Sequence, residues 1–556
     1  MNMDDALKKE WFRFNSKLVV NEGQFGLLEV FKRNFGRERM LEKKILKVDE
    51  YEVGPYKVCI FSSPRELEFI YGVSDSSVEL LSEKLVEHLS STLADNIAYK
   101  IKGLHLFDKF LAFTVDEAVR QLQGYLELSE ETARKVALSL AFRCAGLSAI
   151  APLLLDDKVE EFYLDGKEEN VYLDHRDWGR CKTNIILSDK DIERVLTRIR
   201  LESGFRLDEV HPSLKAEVLT KFFRVRVLVD IPPIAAKGIM LTFRRMRKKP
   251  YTIPELIYNG TISVEAAAYL LFCILRRFNI CVIGEPRAGK TTMINALDLM
   301  TPLNWRKVYV EDVIESLSLQ EHGSHQAKVK VKPPEEEGEK SKAKEITQLL
   351  HRSPDWVFLG EIRTREDSWA MFHALTAGLV GLQTCHGRSV EDIILRWVIH
   401  HGIPLTNLKA LDIIVEMKML PSIAGRPKRR VMKIVEASDD PRKFLTVEKL
   451  FSGEAFIDVF AWSPERDELS LVTDLLKTPS LKKIRKRFNA SEEEVLEEMD
   501  VYKFTFSKMV EKKIFTVKDN VSILNHLYYL SSNVDEGEMD WKDVKREIEK
   551  IIEKLH

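Results

Sequence analysis

The pattern of apolar and polar positions changes its period along the chain. Residues 116–155 carry apolar side chains at helical spacing, and residues 1–100 mix helical periodicity with one short strand-like run at 56–61. Together these patterns predict a helix-rich N-terminal extension over residues 1–150.

Strand and turn signals take over after this region. Residues 159–175 hold two β-rich runs around a glycine turn, and residues 223–233 alternate until two prolines end the strand. Between them, an amphipathic helix is predicted over 189–204, where it ends at a glycine. A further strand over 238–246 completes what we predict to be an α+β domain spanning 151–246.

Residues 247–253 combine basic residues and prolines, a composition typical of a linker. From there to about residue 436, strand and helix patterns alternate, which indicates a mainly parallel α/β sheet. Residues 329–345 interrupt the alternation with Lys, Glu and Pro, and we predict a mobile surface insertion there. Residues 437–556 contain helical segments and are predicted to form a small helical extension.

Composition narrows the class of protein. The chain has 556 residues, 45% of them apolar and 31% charged, which describes a folded, soluble protein of several domains. A formal net charge of −2 gives no strong field towards nucleic acid or anionic lipid. The six cysteines form no CxxC pair, so structural zinc is not expected and a reducing cytoplasm is the simplest interpretation. The longest apolar segments fall short of the roughly 20 residues of a membrane span.

The strongest local signal is GEPRAGKT at 284–291, which follows a short apolar strand and precedes a helix. Its spacing, GxxxxGK followed by Ser or Thr, lets backbone N–H groups surround a phosphate at a helix N-terminus. In such a loop Lys290 reaches the β- and γ-phosphates, and the Thr291 hydroxyl can ligand Mg²⁺. The alternative is an ordinary glycine turn. The predicted nucleotide-binding residues are Gly284, Arg287, Ala288, Gly289, Lys290, Thr291 and Thr292, with the charges of Glu285 and Arg287 facing solvent.

Three further apolar runs end in polar side chains: VYVEDVIES at 308–316, DWVFLGEIR at 355–363 and GLQTCHG at 381–387. In a parallel sheet, the ends of these strands lie at the same edge as the phosphate loop. A P-loop enzyme needs an acid that positions water or metal, and Glu311 and Glu361 are the candidates. A lone histidine is more often structural, but the place of His386 at a third strand end favours a role in the site.

In this order and spacing, the four motifs resemble the secretion-ATPase superfamily, whose members drive type II and type IV secretion, type IV pili and the archaeal flagellum. VYVEDVIES is similar to the family's Asp box, DWVFLGEIR to its Walker B motif with Glu in place of the usual Asp, and GLQTCHG to its His box. The resemblance covers roughly residues 150–436. The helix-rich N-terminal extension and the missing CxxC pairs favour the archaeal branch.

The resemblance implies a RecA-like ATPase core over 254–436 and a set of roles. Glu311 would activate or position water. Glu361 would hold Mg²⁺ through water or polarise the attacking water, and His386 would sense the γ-phosphate. The Lys290 and Thr291 side chains would bind the phosphates and Mg²⁺, as the loop itself predicts.

The resemblance also implies roles for arginines. Arg244, in the TFRR segment, would touch the phosphates from the N-terminal domain. Arg363, and either Arg224 or Arg226, would act across a subunit boundary, and ordinary ion pairing is the alternative for each of them. The sequence departs from the family at the His box, which usually opens with Gly-His, whereas here Gly378 is followed by Leu379.

The expected function is therefore an ATP-hydrolysing, hexameric motor with ATP and Mg²⁺ as cofactors. By resemblance, it would act through a polytopic membrane platform protein on a pilus-like filament or a secreted protein, from the cytoplasmic face of the cell membrane. Two alternatives stay open. A nucleic-acid-stimulated motor is opposed by the near-zero net charge and the lack of interleaved aromatic and basic residues, so no nucleic-acid partner is expected. An ATP-gated, non-catalytic assembly subunit is opposed by the retained Glu311 and Glu361.

Overall fold

The computed structural model describes residues 46–62, 67–100, 107–204, 206–246, 250–331, 341–420, 427–488 and 490–555. The chain divides into two compact units. Of the described residues, the first unit holds those within 46–246 and the second holds those within 250–555.

The first unit is built on one sheet, which has nine strands within the described residues in the order β1-β2-β3-β6-β5-β4-β9-β8-β7. The strands are β1 (Leu46–Val53), β2 (Tyr56–Ser62), β3 (Phe69–Asp75), β4 (Val159–Leu164), β5 (Asn170–His175), β6 (Gly179–Ile186), β7 (Ser213–Leu219), β8 (Arg224–Asp230) and β9 (Met240–Arg245). The helices are α1 (Ser76–Leu81), α2 (Glu83–Lys100), α3 (Phe107–Tyr125), α4 (Glu130–Cys144), α5 (Ala151–Leu155) and α6 (Asp189–Ser203).

The predicted N-terminal extension shares this sheet with the predicted α+β domain. β3 pairs in parallel with β6, with Phe69 opposite Cys181. The Tyr51 and Tyr71 hydroxyls both donate to the Asp156 carboxylate, at 2.7 and 2.9 Å, and so attach β1 and β3 to the loop before β4. The described part of residues 1–150 therefore contains three strands beside its helices, and residue 150 does not separate two sheets.

The second unit holds a second sheet, with nine described strands in the order β12-β11-β13-β14-β10-β15-β16-β17-β18. The strands are β10 (Ile280–Gly284), β11 (Arg306–Glu311), β12 (His325–Lys330), β13 (Trp356–Ile362), β14 (Gly381–His386), β15 (Ile413–Leu420), β16 (Lys428–Ala437), β17 (Phe456–Ser463) and β18 (Glu468–Leu471). The strands from β12 to β15 pair in parallel, and β16, β17 and β18 add antiparallel. The predicted α/β class with a mainly parallel sheet is confirmed, and so is the RecA-like core that the family resemblance implied.

Helices cover both faces of this sheet. They are α7 (Ile253–Tyr258), α8 (Val264–Leu275), α9 (Lys290–Asp298), α10 (Lys342–Gln348), α11 (Arg365–Thr376), α12 (Val390–Leu395), α13 (Val447–Phe451), α14 (Pro479–Phe488), α15 (Glu492–Glu511), α16 (Val517–Asp535) and α17 (Trp541–Lys554). Every residue of β10 is buried, as expected of a central parallel strand covered on both faces. No helix in the described part of the chain is long and apolar enough to cross a bilayer.

Two segments differ from their predicted extent. The predicted insertion at 329–345 begins with the end of β12 and finishes inside α10, and its residues 332–340 lie outside the described residues. Residues 437–556 contain β17 and β18 as well as helices, because β17 continues the sheet with Phe456 opposite Ala437. Both differences arise from pairing and burial that a local polar or helical pattern does not record.

The C-terminal helices dock on α8 through an ion pair between the half-buried Arg276 and the buried Glu498. Arg276, directly after α8, makes two hydrogen bonds to the Glu498 carboxylate on α15, and its guanidinium lies 4.1 Å from the centre of the Phe272 ring. The Tyr502 hydroxyl also donates to Glu498. Ser491 starts α15 with a reciprocal capping box to Glu494. A buried charge that loses its partner is strongly destabilising, so this pair fixes the position of α15.

The variant Arg276→Met is expected to lower the free energy of unfolding of the second unit by about 3–5 kcal/mol, because Glu498 would stay buried without its counter-ion. Calorimetry or urea denaturation measures this loss. Lys545→Met provides the control, because Lys545 on α17 pairs with Asp500 on α15 at 2.8 Å and both side chains are well exposed. This variant should lower the free energy of unfolding by about 0–1 kcal/mol. Equal losses in the two variants would contradict the assignment.

Candidate active site

The phosphate loop connects β10 to α9 and depends on close backbone approach. A Cβ on Gly284 would lie 2.6 Å from the Met417 carbonyl oxygen on β15, so a larger residue does not fit without movement. Arg287 and Gly289 both have positive φ, 66° and 96°, which curls the loop before α9 starts at Lys290. Such a turn directs backbone N–H groups towards one point. Glu285 and Arg287 are exposed as predicted, while Ala288 is buried.

Lys290 is buried in the first turn of α9 and bonds to its own loop. Its ammonium donates to the carbonyls of Gly284 and Glu285 at 3.0 and 3.1 Å. It also lies 3.0 Å from His386 Nδ1 and 3.8 Å from Glu361 Oε1. Thr291 and Thr292 follow it and are half-buried. The lysine, the histidine and the acid that the sequence predicted separately therefore meet.

Strand register brings His386 to the loop. In the β10–β14 pair His386 lies opposite Gly284, and its Nε2 is 2.5 Å from Glu361 Oε1. An ammonium can only donate, so Nδ1 accepts from Lys290 and the proton of the neutral ring sits on Nε2, where it is donated to Glu361. His386 therefore links the lysine of the loop to the acid of β13.

A bulge at Gly360 sets the direction of the Glu361 side chain. The register between β13 and β14 shifts between Leu359 and Glu361. A Cβ on Gly360 would lie 3.1 Å from Glu311 Cγ and 3.3 Å from the Val310 carbonyl oxygen on β11. Glycine is the residue that allows β11 and β13 to pass this closely. The packing of β13 against β11 thus explains why glycine precedes Glu361 in the Walker B-like motif.

Glu361 is held as a carboxylate. Burial raises its pKa, but the hydrogen bond from His386 and the neighbouring Arg363 outweigh burial and lower the pKa to about 2. Arg363 donates to Glu361 Oε2 through Nε at 2.8 Å, and its Nη2 lies 2.7 Å from the same oxygen. Its Nη1 is 3.6 Å from Asp312 Oδ2. In this structure Arg363 pairs with acids of its own chain.

Glu311 has a different environment, although it ends the neighbouring strand. One carboxylate oxygen accepts from the backbone N–H of Glu315 and Ser316 at 2.9 and 3.0 Å, and the other accepts from the Ser316 hydroxyl at 2.5 Å. The residue is 1% exposed, and burial raises its pKa despite these bonds. Glu311 therefore organises the loop that follows β11, whereas Glu361 contacts the residues around the phosphate loop.

Two residues that the sequence did not single out also shape this loop. Asn295 on α9 accepts from Leu317 N–H at 3.2 Å and donates to the Glu315 carbonyl at 3.0 Å. Lys328 on β12 donates to the carbonyls of Ser316 and Leu317 at 2.9 and 2.8 Å. Contacts of a side chain with a distant loop backbone leave no motif in the sequence.

A third unpredicted residue is Lys342, the first residue of α10. Its ammonium donates to Asp312 Oδ1 at 2.9 Å and to the Glu361 carbonyl at 2.7 Å. Burial raises the pKa of Asp312, but Lys342 and Arg363 lower it below its usual value. Lys342 belongs to the run KSKAKE, and nothing in that run distinguishes the buried lysine from the exposed Lys344.

Leu379 has a structural reason for standing where the resembled family has histidine. α11 ends in a Schellman motif, with Gly378 at φ 98°, the Gly378 N–H bonded to the Leu375 carbonyl and the Leu379 N–H bonded to the Ala374 carbonyl. The residue after such a glycine commonly packs back on the helix, and Leu379 packs against the apolar core below α11.

The roles predicted for Arg244, Arg224 and Arg226 of the first unit remain predictions. Arg244 lies on β9, opposite Glu161 and Arg226 of the neighbouring strands. Arg226 is 3.4 Å from Glu217, and Arg224 begins β8.

The loop of 284–291 at the carboxyl edge of a parallel sheet, with Lys290, His386 and Glu361 in contact, defines a P-loop protein. The chain belongs to the type II/IV secretion system protein family, which it matches over residues 154–450. The resemblance identified from the motifs is confirmed.

The relatives are archaeal and bacterial. An uncharacterized protein of Methanocaldococcus jannaschii is 26% identical over 360 residues, 63% of this chain and 46% of that protein, so the chain spans about half of its length. A second uncharacterized protein of this organism is 26% identical over 475 residues, 79% of this chain and 83% of that protein. Protein VirB11 of Agrobacterium tumefaciens is 28% identical over 142 residues, 25% of this chain and 40% of that protein.

Two solved structures match parts of the chain at lower sequence identity. The VirB11 ATPase of the Brucella suis type IV secretion system is 17% identical, with a TM-score of 0.27, over 52% of this chain and 92% of that chain. The pilus retraction motor PilT with bound ADP is 14% identical, with a TM-score of 0.40, over 61% of this chain and 87% of that chain.

Arg429 on β16 is expected to support nucleotide binding, because its Nε donates to the Arg287 carbonyl at 3.0 Å and holds the phosphate loop from outside. Loss of one such bond is worth about 1 kcal/mol, so Arg429→Met should weaken binding of a fluorescent ATP analogue about fivefold. Lys428→Met is the control, because the neighbouring Lys428 bonds Asp467 instead. The same affinity in both variants would speak against this support.

Proposed function

We propose that the protein is an ATPase that powers the assembly of a pilus-like filament or the secretion of a protein. The observation that carries the proposal is the contact of Lys290, His386 and Glu361 at the end of three adjacent parallel strands. Family membership supports the secretion or pilus context.

The residues present fit ATP with Mg²⁺. The close approach at Gly284 and the positive φ of Gly289 shape a loop that can surround phosphates. The buried ammonium of Lys290 donates to loop carbonyls, and a bound phosphate would take their place as its hydrogen-bond partner. The loop residues 284–292 would hold the phosphates, and Thr291 and Glu361 would hold Mg²⁺, the latter through water. When bound, Mg²⁺ neutralises charge that develops on the phosphates.

The side chains of this chain would then divide the work. Lys290 orients the phosphates, and Glu361, an ionised carboxylate at neutral pH, orients or activates the attacking water. His386 Nε2 donates to Glu361 while its Nδ1 faces Lys290, so a change at the lysine reaches the acid through the imidazole. Glu311 shapes the loop that follows β11, and this favours Glu361 as the acid that acts on water.

Assembly and partners extend this proposal. The working form would be a homo-hexamer at the cytoplasmic face of the membrane that transmits motion to a polytopic platform protein. Arg244 would reach the phosphates from the first unit, and Arg363 would act across a subunit boundary. The names of the relatives, a type IV secretion ATPase and a pilus retraction motor, support this context.

The variant Lys290→Ala should abolish ATP turnover, with a loss of at least about 100-fold, because the phosphates lose their charge partner. Phosphate release by the purified chain measures turnover, and circular dichroism checks the fold. Lys477→Ala, at a lysine that is 75% exposed, should hydrolyse ATP at the rate of the unaltered chain. Turnover that survives in Lys290→Ala would refute the proposal.

The two acids can be separated by Gln substitution. Glu361→Gln should retain ATP binding and lose turnover at least about 100-fold, since the acid at the site is neutralised. Glu311→Gln should lose less than about tenfold, because a Gln carbonyl still accepts from the Glu315 and Ser316 amides. Binding of a fluorescent ATP analogue and phosphate release are measured in parallel. The reverse ranking would assign the water to Glu311.

A further inference from the structure

Lys342 is a buried lysine at the edge of the site. Its side chain is 5% exposed and that of its partner Asp312 is 9% exposed. Placing an ammonium there costs free energy, because it loses its hydration, and an apolar residue of the same length would avoid that cost. The reason for an ammonium here must therefore lie in hydrogen bonds that an apolar side chain could not make.

One of these hydrogen bonds goes to the backbone of Glu361. The ladder between β11 and β13 ends with Val310 opposite Leu359, two residues before Glu361. Beyond that point the Glu361 carbonyl accepts a hydrogen bond from Lys342 at 2.7 Å. The lysine thus supplies a donor to β13 where its ladder to β11 has stopped.

The same ammonium controls the partners of Arg363. The Lys342 ammonium lies 2.9 Å from Asp312 Oδ1. Arg363 makes its close contact with Glu361 Oε2, 2.7 Å from Nη2, and its Nη1 is 3.6 Å from Asp312 Oδ2. Without Lys342, Asp312 would have Arg363 as its nearest cation, and the guanidinium would be drawn away from Glu361. Backbone and side chain of Glu361 both depend on this one group.

We propose that Lys342 is a positioning residue of the ATPase site, which fixes the bulged end of β13 and the Arg363 side chain so that Glu361 faces Lys290 and His386. The inference rests on the proposed ATPase function and adds a residue from the insertion to its machinery. Lys342 contacts Asp312 and the backbone of Glu361 and belongs to no part of the phosphate loop. Its loss should therefore lower kcat and leave the affinity for nucleotide almost unchanged.

The test uses the full chain and measures kcat by phosphate release, affinity with a fluorescent ATP analogue, and Tm. Lys342→Met should lower kcat about 10- to 100-fold, the range expected when a reacting group is displaced by about 1 Å, and leave the affinity within about threefold. Lys342→Arg should recover most of kcat, since it retains donors for both partners. The matched control Lys344→Met, at an exposed lysine of the same helix, should leave kcat unchanged.

A second variant keeps the test decisive if Lys342→Met is too unstable to study. Lys342→Met combined with Asp312→Asn removes both buried charges, so Tm should recover while kcat stays at least about fivefold below that of Asp312→Asn alone. Recovery of kcat together with Tm would show a merely structural role and overturn the inference. A kcat of Lys342→Met within about threefold of the unaltered chain would also overturn it. If the unaltered chain itself hydrolyses no ATP, the proposed function fails, and this inference fails with it.

Discussion

The buried ammonium of Lys290 imposes the main constraint on the second unit. A charge taken out of water must be compensated by hydrogen bonds and counter-charge, and the phosphate loop offers the carbonyls of Gly284 and Glu285. Two further partners, His386 and Glu361, come from β14 and β13. They meet Lys290 because the three adjacent parallel strands β13, β14 and β10 end at one edge of the sheet. On the other side of β10, Gly284 permits the tight contact with β15.

A series of charged side chains of alternating sign extends outwards from Lys290. Glu361 is shared by His386 and Arg363, Arg363 approaches Asp312, and Asp312 is bonded by Lys342. Each charge in this series is followed by one of opposite sign, so the buried members Lys290, Asp312 and Lys342 each have a counter-ion. The chain of contacts joins α9, β14, β13, the loop after β11 and α10, and a displacement at one end must be felt along it.

Sequence reasoning located the elements of this site that lie on strand ends. Lys290 was predicted from the spacing of its glycine-rich loop. Glu361 and His386 were predicted because periodicity indicates strands, and parallel strands bring their ends together. It did not find Lys342, because one lysine among several becomes buried only through the position of α10. It did not give the direction of the Glu311 side chain, which depends on amides in the loop that follows. The three strands within residues 46–75 join their sheet through the parallel pairing of β3 with β6, more than a hundred residues away.

The direction of Glu311 follows from the charge available at this edge. Glu311 and Glu361 end neighbouring strands on either side of Gly360, where a Cβ would touch the Glu311 side chain. Two carboxylates facing one phosphate site would repel each other and the phosphates. Turning Glu311 into the amides of Glu315 and Ser316 leaves Glu361 and Asp312 against Lys290, Arg363 and Lys342. Within this set of five side chains, two acids face three cations, a balance that favours an anionic ligand. Gly360 and the backbone amides of Glu315 and Ser316 are therefore part of the electrostatics of the site, although none of them is a charged group.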